Sequence, residues 1–512
     1  MAKKTVFLTG GTGNMGWESF KQLYKQPNVN IVLLARKSQK NEDKLAPYIA
    51  KPNVKVVWGD LTNYDDILEC VTGSDYVLHV GGMVSPAADW LPYKTRKTNV
   101  TAAQNIVKAV LAQPNADDIK VAYTGTVAQT GDRNQPIHWG RCGDPLKISI
   151  YDHYAISKAL AERVIVESGI KHWVSMRQSG ILYPSILKNM DPIMFHVVIN
   201  GVLEWCTVED SGRLMGNLVK YDMSGDLPEE FWNKFYNIGS GKDYRITNYQ
   251  FEEILLETLG VPGPRKLFEP NWFILKNFHG QWYADGDKLE EYLHFRENLP
   301  IKDYFARLAT QVPKFFTAAK FVPNALIAPF AKMAMKKIAM TPGFGTLDWV
   351  KTKDPDRITA YYGTYQDWDN IAKTWDDFKI EIPDNDNSAA TYLDHGYDEN
   401  KPLSELDIED MKQAAKFRGG ECLSETMVKG DMVTKLKWRC HNGHEFEASP
   451  TLILLGGHWC PECFLPTEVW DYDEEAKHNP FFAQVWYPNH TKEEHNTYVF
   501  DEIFEGWEQV KH

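Results

Sequence analysis

The chain predicts an α/β fold: a doubly wound parallel sheet joined to a small α+β lobe, a helical extension and a C-terminal metal-binding module. Three observations predict it. The glycine turn Thr9-Gly10-Gly11-Thr12-Gly13-Asn14-Met15-Gly16 stands between an apolar β-like run and a helix. Further on, Tyr154-Ala155-Ile156-Ser157-Lys158 sets a phenol and an amine four residues apart. Two Cys/His hooks, Cys440 to His444 and Cys460 to Cys463, lie near the C-terminus.

The first strand is Thr5-Val6-Phe7-Leu8, and Trp17 to Tyr24 reads as the first turns of the helix that follows. A strand-turn-helix of this kind needs Gly10 for dihedrals that a Cβ forbids. It needs Gly13 so that main chain can approach a pyrophosphate, and Gly16 so that the helix can pack on the strand. Free N–H groups and the positive end of the helix dipole then face the phosphates, with Thr12, Asn14 and Met15 in the same turn. The turn is therefore read as a Rossmann dinucleotide site.

The second strand, Asn30 to Leu34, ends at Ala35-Arg36-Lys37-Ser38. An NAD site usually has an acid there to accept from the ribose 2′-hydroxyl, whereas an arginine suits a 2′-phosphate. The expected cofactor is NADP(H), with Arg36 as reader and Lys37 in support; NAD is the alternative, with both charges as solvated strand-end groups.

Several further matches fall in order. Val56 to Thr62 contains Asp60-Leu61, Tyr76 to Gly82 ends in the small-residue loop Val80-Gly81-Gly82, and Thr98-Asn99-Val100 opens the next helix. Together with the glycine turn and the Tyr154/Lys158 pair, they make residues 1–300 resemble the extended short-chain dehydrogenase/reductases, the epimerase/dehydratase type. The resemblance implies that Asp60 and Leu61 contact the adenine, that Val80, Gly81 and Asn99 lie beside the cofactor, and that backbone near Ile181 holds the nicotinamide amide. It also implies pairing through helices into a homodimer. Gly81 and Gly82 stand where the family commonly has alanines, and Gln178 replaces a proline.

Residues four apart on a helix share a face, so Lys158 can sit beside Tyr154 and the cofactor ribose. A phenol of reference pKa about 10 must fall by roughly 3 units to act near neutrality, about 4 kcal/mol of differential charge stabilisation. Lys158 and the oxidised nicotinamide are expected to supply it. By the resemblance Thr126, in Lys120 to Ala128, occupies the catalytic Ser/Thr position, with Thr124 competing and Gly125 replacing the first serine of the family's usual pair. Tyr151 has Ala155, not a lysine, four residues on.

The stretch between Tyr183-Pro184 and Leu203 includes Met190, Ile193, Met194, Phe195 and Val197, with Lys188 and His196 but no arginine. A diphosphate would want cations there. The expected substrate is a small carbonyl or alcohol of hydrophobic bulk without a nucleotide handle, reduced or oxidised by hydride transfer. The alternatives are a nucleotide-sugar epimerase or dehydratase using NAD and, outside catalysis, an NADP(H)-sensing scaffold.

At 512 residues the chain exceeds one such domain. The expected organisation is 1–300 for the dinucleotide-binding domain with its substrate lobe, 301–387 for a helical extension, 388–467 for the metal module and 468–512 for an aromatic-rich tail. Phe315 to Met340 is rich in Ala and aromatics, but Lys320, Pro323, Pro329, Lys332, Lys336 and Lys337 interrupt it, short of the roughly 18 apolar residues of a spanning helix. Core or substrate-covering helices are the reading, with an interfacial membrane helix as the alternative.

Thiolate and imidazole hooks separated by a hairpin-length stretch suit tetrahedral Zn2+ bound by Cys440, His444, Cys460 and Cys463, a structural site with no open position. Cys422 is a fifth candidate, able to replace His444, and the region resembles a zinc ribbon. Nucleic acid is disfavoured as a partner, because acids outnumber bases around the hooks and the chain carries a net charge of -13. Seven cysteines, several in metal hooks, and a start of Met1-Ala2-Lys3-Lys4 running straight into a strand lead to the expectation of a cytoplasmic protein.

Overall fold

The computed structural model describes residues 3–85, 87–188, 190–314, 322–466 and 468–500. Among them, seven strands form one parallel sheet: β1 (Lys4–Thr9), β2 (Val29–Ala35), β3 (Val54–Trp58), β4 (Tyr76–His79), β5 (Lys120–Thr126), β6 (His172–Gln178) and β7 (Lys234–Ile238). Their order is β7-β6-β5-β4-β1-β2-β3, so the direction of winding reverses beside β1. Ligands bind at such a switch point, outside the carboxyl ends of the strands. The fold is α/β, of the Rossmann type.

Both faces of the sheet are covered, which is why its strands read as nearly continuous apolar runs. On one face lie α1 (Asn14–Tyr24), α2 (Gln39–Ile49) and, further along the chain, the helix Val208–Ser224, packed on Val6, Leu8, Ile31 and Leu33. On the other lie α3 (Tyr64–Val71), α4 (Pro92–Leu111) and α5 (His153–Val166), packed on Phe7, Val77, Val121 and Tyr123. Pro92 starts α4 at its first position, where the missing N–H costs nothing, so Asn99 falls within the helix and not at its opening as the sequence led us to expect.

The substrate lobe is built from short pairings. Ile181–Leu182 runs parallel to Cys206–Thr207, and Val202–Glu204 pairs antiparallel with Arg245–Thr247 ahead of α6 (Asn248–Leu259). In the helical extension, residues 315–321 of the Ala- and aromatic-rich stretch lie outside the described residues, and α7 (Asn324–Ala339) follows. No helix among the described residues is long and apolar enough to cross a membrane.

The C-terminal region adds a three-stranded antiparallel sheet, Glu421–Cys422, Leu436–Arg439 and Glu445–Ala448. Its Trp438, Leu452, Ile453 and Trp459 join the hydrophobic core that holds α4 and α5. A buried ionic cluster pins the junction. Arg177 donates to both Glu162 carboxylate oxygens at 2.7 and 3.1 Å and to the Gly456 carbonyl at 2.6 Å, while His458 Nε2 lies 2.8 Å from Glu162. In the tail, Trp470, Tyr472, Phe482 and Trp486 are buried, and Trp470 packs edge-on against Tyr151 and His153. Residues 501–512 of the predicted tail lie outside the described residues.

Candidate active site and candidate metal centre

The carboxyl ends of β1, β4 and β5 open on one cavity of about 910 Å3. Every residue singled out from the sequence for catalysis or cofactor binding lines it except Lys37 and Asn99.

Gly10 takes φ +68°, and a Cβ there would lie 2.6 Å from the Gly81 Cα, so the two backbones meet with no room for a side chain. Gly81 is held in place as its N–H donates to Thr9 Oγ1 at 2.8 Å. At Gly16 a Cβ would meet the Gly10 carbonyl at 2.1 Å, which is how α1 comes to start against the turn. The N-cap of α1 is Gly13, with no side-chain cap and no acid in the first turn. The unsatisfied N–H groups and the positive dipole end therefore face the cavity, an arrangement that fits an anionic diphosphate.

At the far end of the turn Arg36 is exposed on the cavity wall and makes no ion pair among the described residues. Burial works to raise the Asp60 pKa, but the Thr62 amide and hydroxyl, with Arg36 and Lys94 nearby, hold it below the ordinary value. Lys37 points away, 75% exposed and 4.0 Å from Glu42. In its place the wall carries Ser38, Lys40 and Asn41, which sequence reasoning missed. Ser38 caps α2, and that geometry brings the three to one helix N-terminus. Asn99 has a supporting part: its Oδ1 accepts from Met83 N–H at 2.8 Å and its Nδ2 donates to Ser157 Oγ at 2.9 Å, tying the loop after β4 to α5.

Asp152 caps α5, accepting from Ala155 N–H at 2.8 Å, so that Tyr154 and Lys158 face the cavity. The Tyr154 phenol lies by the Thr126 hydroxyl at the end of β5. Burial pushes the Tyr154 phenol up to about 12, with the Thr126 hydroxyl acting against it. In the chain alone Lys158 does not offset that burial: the Lys158 Nζ lies over the Tyr123 ring at 4.4 Å, and burial pushes its own pKa down to about 7 against the pull of Glu162. A Cβ at Gly125 would lie 3.0 Å from Gln129 Oε1 and 3.1 Å from Arg177 Cγ, so a serine at this position would require the buried Gln129, Arg177 and Glu162 side chains to shift by a few tenths of an ångström. Thr124, the competing hydroxyl, also lines the cavity and its Oγ1 is buried without a hydrogen-bond partner.

The part of the cavity beyond Tyr154 is largely apolar, with Ile186, Ile193, Met194, Val197, Leu203, Trp205, Phe251 and Leu255 on the wall. His196 is not among them. Its Nε2 lies 2.7 Å from the Phe344 carbonyl and its ring stacks on Trp349. Polar residues interrupt the wall, among them Arg133, Asn248 and Glu252, which were not found from the sequence. Arg133 binds the Thr130 and Pro145 carbonyls, leaving Nη1 buried without a partner. Asn248 Nδ2 and Glu252 Oε2 are likewise buried without partners, one turn apart on α6, and desolvation pushes the Glu252 carboxyl up to about 8.

The second candidate site is in the C-terminal sheet. Cys440 and His444 flank the turn between Leu436–Arg439 and Glu445–Ala448, and Cys460 N-caps the short helix that carries Cys463. The ligand atoms of all four lie within 4.8 Å of one another, and Cys422 is outside the group. A tetrahedron with Zn–S about 2.3 Å and Zn–N about 2.0 Å has S···S edges near 3.8 Å and S···N edges near 3.5 Å. The chain shows 3.9 Å between Cys440 and Cys463, and 3.4 to 3.5 Å from His444 Nδ1 to the three sulfurs. The donor set and its spacing fit zinc.

Residues 6–177 match the model of the NAD dependent epimerase/dehydratase family. That segment contains the glycine turn, Thr126, Tyr154 and Lys158. The chain is 32% identical to the UDP-glucose 4-epimerase of Rickettsia akari (strain Hartford) over 113 residues, 21% of this chain and 33% of the relative. It is 26% identical to the enzyme of that name from Rickettsia bellii (strain RML369-C) over 110 residues, 21% of this chain and 32% of the relative. It thus spans about a third of the length of these curated relatives. Among solved structures it is similar to a dTDP-glucose 4,6-dehydratase double mutant from Streptomyces venezuelae with NAD and DAU bound, at 19% identity and TM-score 0.48, covering 61% of this chain and 98% of that one. It is also similar to UDP-glucuronic acid 4-epimerase from Bacillus cereus in complex with NAD, at 14% identity and TM-score 0.47, covering 60% and 99%.

Proposed function

We propose that the protein is an NADP(H)-dependent oxidoreductase that interconverts a ketone and an alcohol on a substrate of hydrophobic bulk. The observation that carries this reading is the Thr126/Tyr154 hydroxyl pair opening on a cavity whose cofactor end bears Arg36 and whose substrate end is apolar.

Bound nicotinamide supplies or accepts the hydride. The glycine turn and the N-terminus of α1 hold its diphosphate, and Arg36, with Ser38, Lys40 and Asn41 beside it, meets a 2′-phosphate. Tyr154 delivers the proton to the substrate oxygen, Thr126 donates a hydrogen bond to the same oxygen, and Lys158 fixes the ribose. The apolar wall excludes water and orients the carbonyl, which is most of what a protein adds to such a step. Cys440, His444, Cys460 and Cys463 hold a structural zinc that braces the module packed behind α5. The domain boundaries inferred from the sequence, 1–300, 301–387, 388–467 and 468–512, accompany this reading.

A second reading, a nucleotide-sugar epimerase or dehydratase using NAD, is favoured by the match over residues 6–177 and by the unpaired Arg133 Nη1 on the cavity wall, a cation that the segment before Leu203 lacks. The two are separated by incubating the protein with NADPH and a series of aryl and alicyclic ketones while following the nicotinamide absorbance, in parallel with UDP- and dTDP-sugars analysed for conversion. Ketone-dependent oxidation of NADPH is expected. Sugar conversion without net cofactor consumption would overturn the first reading in favour of the second.

A further inference from the structure

Helix α7 has two faces of unlike fate. Ala331, Met335, Ile338 and Ala339 pack inward on Phe195, Leu267 and Trp272. On the opposite face Leu326, Phe330 and Met333, spaced i, i+4 and i+7, are 63%, 71% and 66% exposed. Such spacing makes a continuous stripe, and large apolar side chains exposed as a row are not the scattered singles of an ordinary surface.

The formal charge on the helix itself has one sign. The helix carries no acidic residue, and Lys336 and Lys337 are exposed at its end. The short helix Pro264–Leu267, packed against α7, adds exposed Arg265 and Lys266. Of the carboxylates nearby, Glu269 is taken by Lys332, Glu253 lies near Tyr249 and Arg265, and Asp376 and Asp377 follow Trp375, which shares a core with Met335. In a chain with net charge -13, a cationic patch around an apolar row is a local exception.

We propose that α7 is an interfacial anchor that seats the substrate lobe on an anionic membrane surface. Leu326, Phe330 and Met333 enter the acyl boundary while Lys336, Lys337, Arg265 and Lys266 meet the lipid phosphates, the signature of a helix lying in the plane of the interface. A second copy of the chain fits this face less well. A two-fold contact across the stripe would bring the lysines of two copies into one dry patch, with no carboxylate on the helix to pair them. The inner face of α7 packs beside Met194, which lines the cavity, so the anchor lies one layer from the apolar substrate wall. The anchor stands whether or not the reductase reading holds.

The test is co-sedimentation of the full chain with phosphatidylcholine/phosphatidylglycerol vesicles and with pure phosphatidylcholine, at low and high salt. Binding to the anionic vesicles that salt weakens is expected. The triple variant Leu326→Ser, Phe330→Ser, Met333→Ser and, separately, Lys336→Glu with Lys337→Glu should each weaken it by roughly ten-fold or more, since both buried apolar area and surface charge set such binding. The altered side chains are exposed, and unchanged NADPH binding and melting temperature confirm that the variants fold. Absence of binding to anionic vesicles by folded wild type, or undiminished binding by the triple variant, would overturn the proposal. So would a wild-type dimer in sedimentation velocity that the triple variant converts to monomer, which assigns the stripe to a second copy.

Discussion

Glu252→Gln tests the reading of the substrate wall through stability alone, with no substrate needed. Glu252 is 2% exposed and has no hydrogen-bond partner for Oε2, and burial pushes its carboxyl from 4.5 up to about 8. In the unfolded chain the group ionises above 4.5; in the folded chain it keeps its proton until about 8. The folded state therefore binds more protons across that window, and stability falls as pH rises through it. At about 1.36 kcal/mol per pH unit the cost is roughly 2 kcal/mol near pH 6 and approaches roughly 5 kcal/mol at pH 8 and above, where it levels off. Glutamine has the same shape and cannot ionise. Melting temperatures of the two proteins should nearly coincide close to pH 5, and the variant should gain steadily on the wild type up to about pH 8. Parallel curves across the window would refute the argument, because a paired or solvated carboxylate has no such cost to lose.

Other outcomes follow from the same geometry. Metal analysis should find one zinc bound through Cys440, His444, Cys460 and Cys463, and chelation or Cys463→Ser should lower the melting temperature; a metal-free protein of unchanged stability would exclude the site. Tyr154→Phe should cut kcat by roughly 10²- to 10⁴-fold while the NADPH Kd in titration changes far less, as removal of a proton donor that also lies beside the cofactor requires. Glu162→Gln strips the carboxylate from buried Arg177 and His458 and should destabilise the protein by about 3 to 5 kcal/mol in denaturant unfolding, uncoupling the C-terminal module from α5. A loss below about 1 kcal/mol, the scale of an exposed pair, would contradict that role.

The dinucleotide half of the site was legible in the sequence because its constraints are local. Gly10 is demanded by its own φ of +68°, Gly16 by the Gly10 carbonyl six residues before it, and the Tyr154/Lys158 spacing is one helical turn. Arg36 follows from where β2 ends. Lys37 and Asn99 do not line the cavity for an equally physical reason, since adjacency along the chain does not say which way a side chain turns. Lys37 turns to Glu42, and Asn99 is spent on the loop at Met83 and on Ser157. The phenol's environment was not legible either, because its burial comes from the whole fold. Arg133 reaches the cavity from the segment after β5, far from the stretch searched for cations. Glu252 did leave a signal: with Asn248, Phe251 and Leu255 it sits on the i, i+3, i+4, i+7 face of α6, a carboxylate where the pattern calls for an apolar residue. The docking of the C-terminal module on α5 rests on contacts such as Arg177 to Gly456 that span most of the chain, and no local pattern foretells them.

The central claim, that this cavity takes NADP(H) through Arg36, is tested most directly by fluorescence titration of the purified protein with NADPH and NADH, wild type against Arg36→Ala. The account predicts tighter binding of NADPH by wild type and loss of that preference in the variant, with NADH affinity little changed. Equal or NADH-favouring binding by wild type would contradict it and bring the NAD-dependent epimerase or dehydratase reading forward.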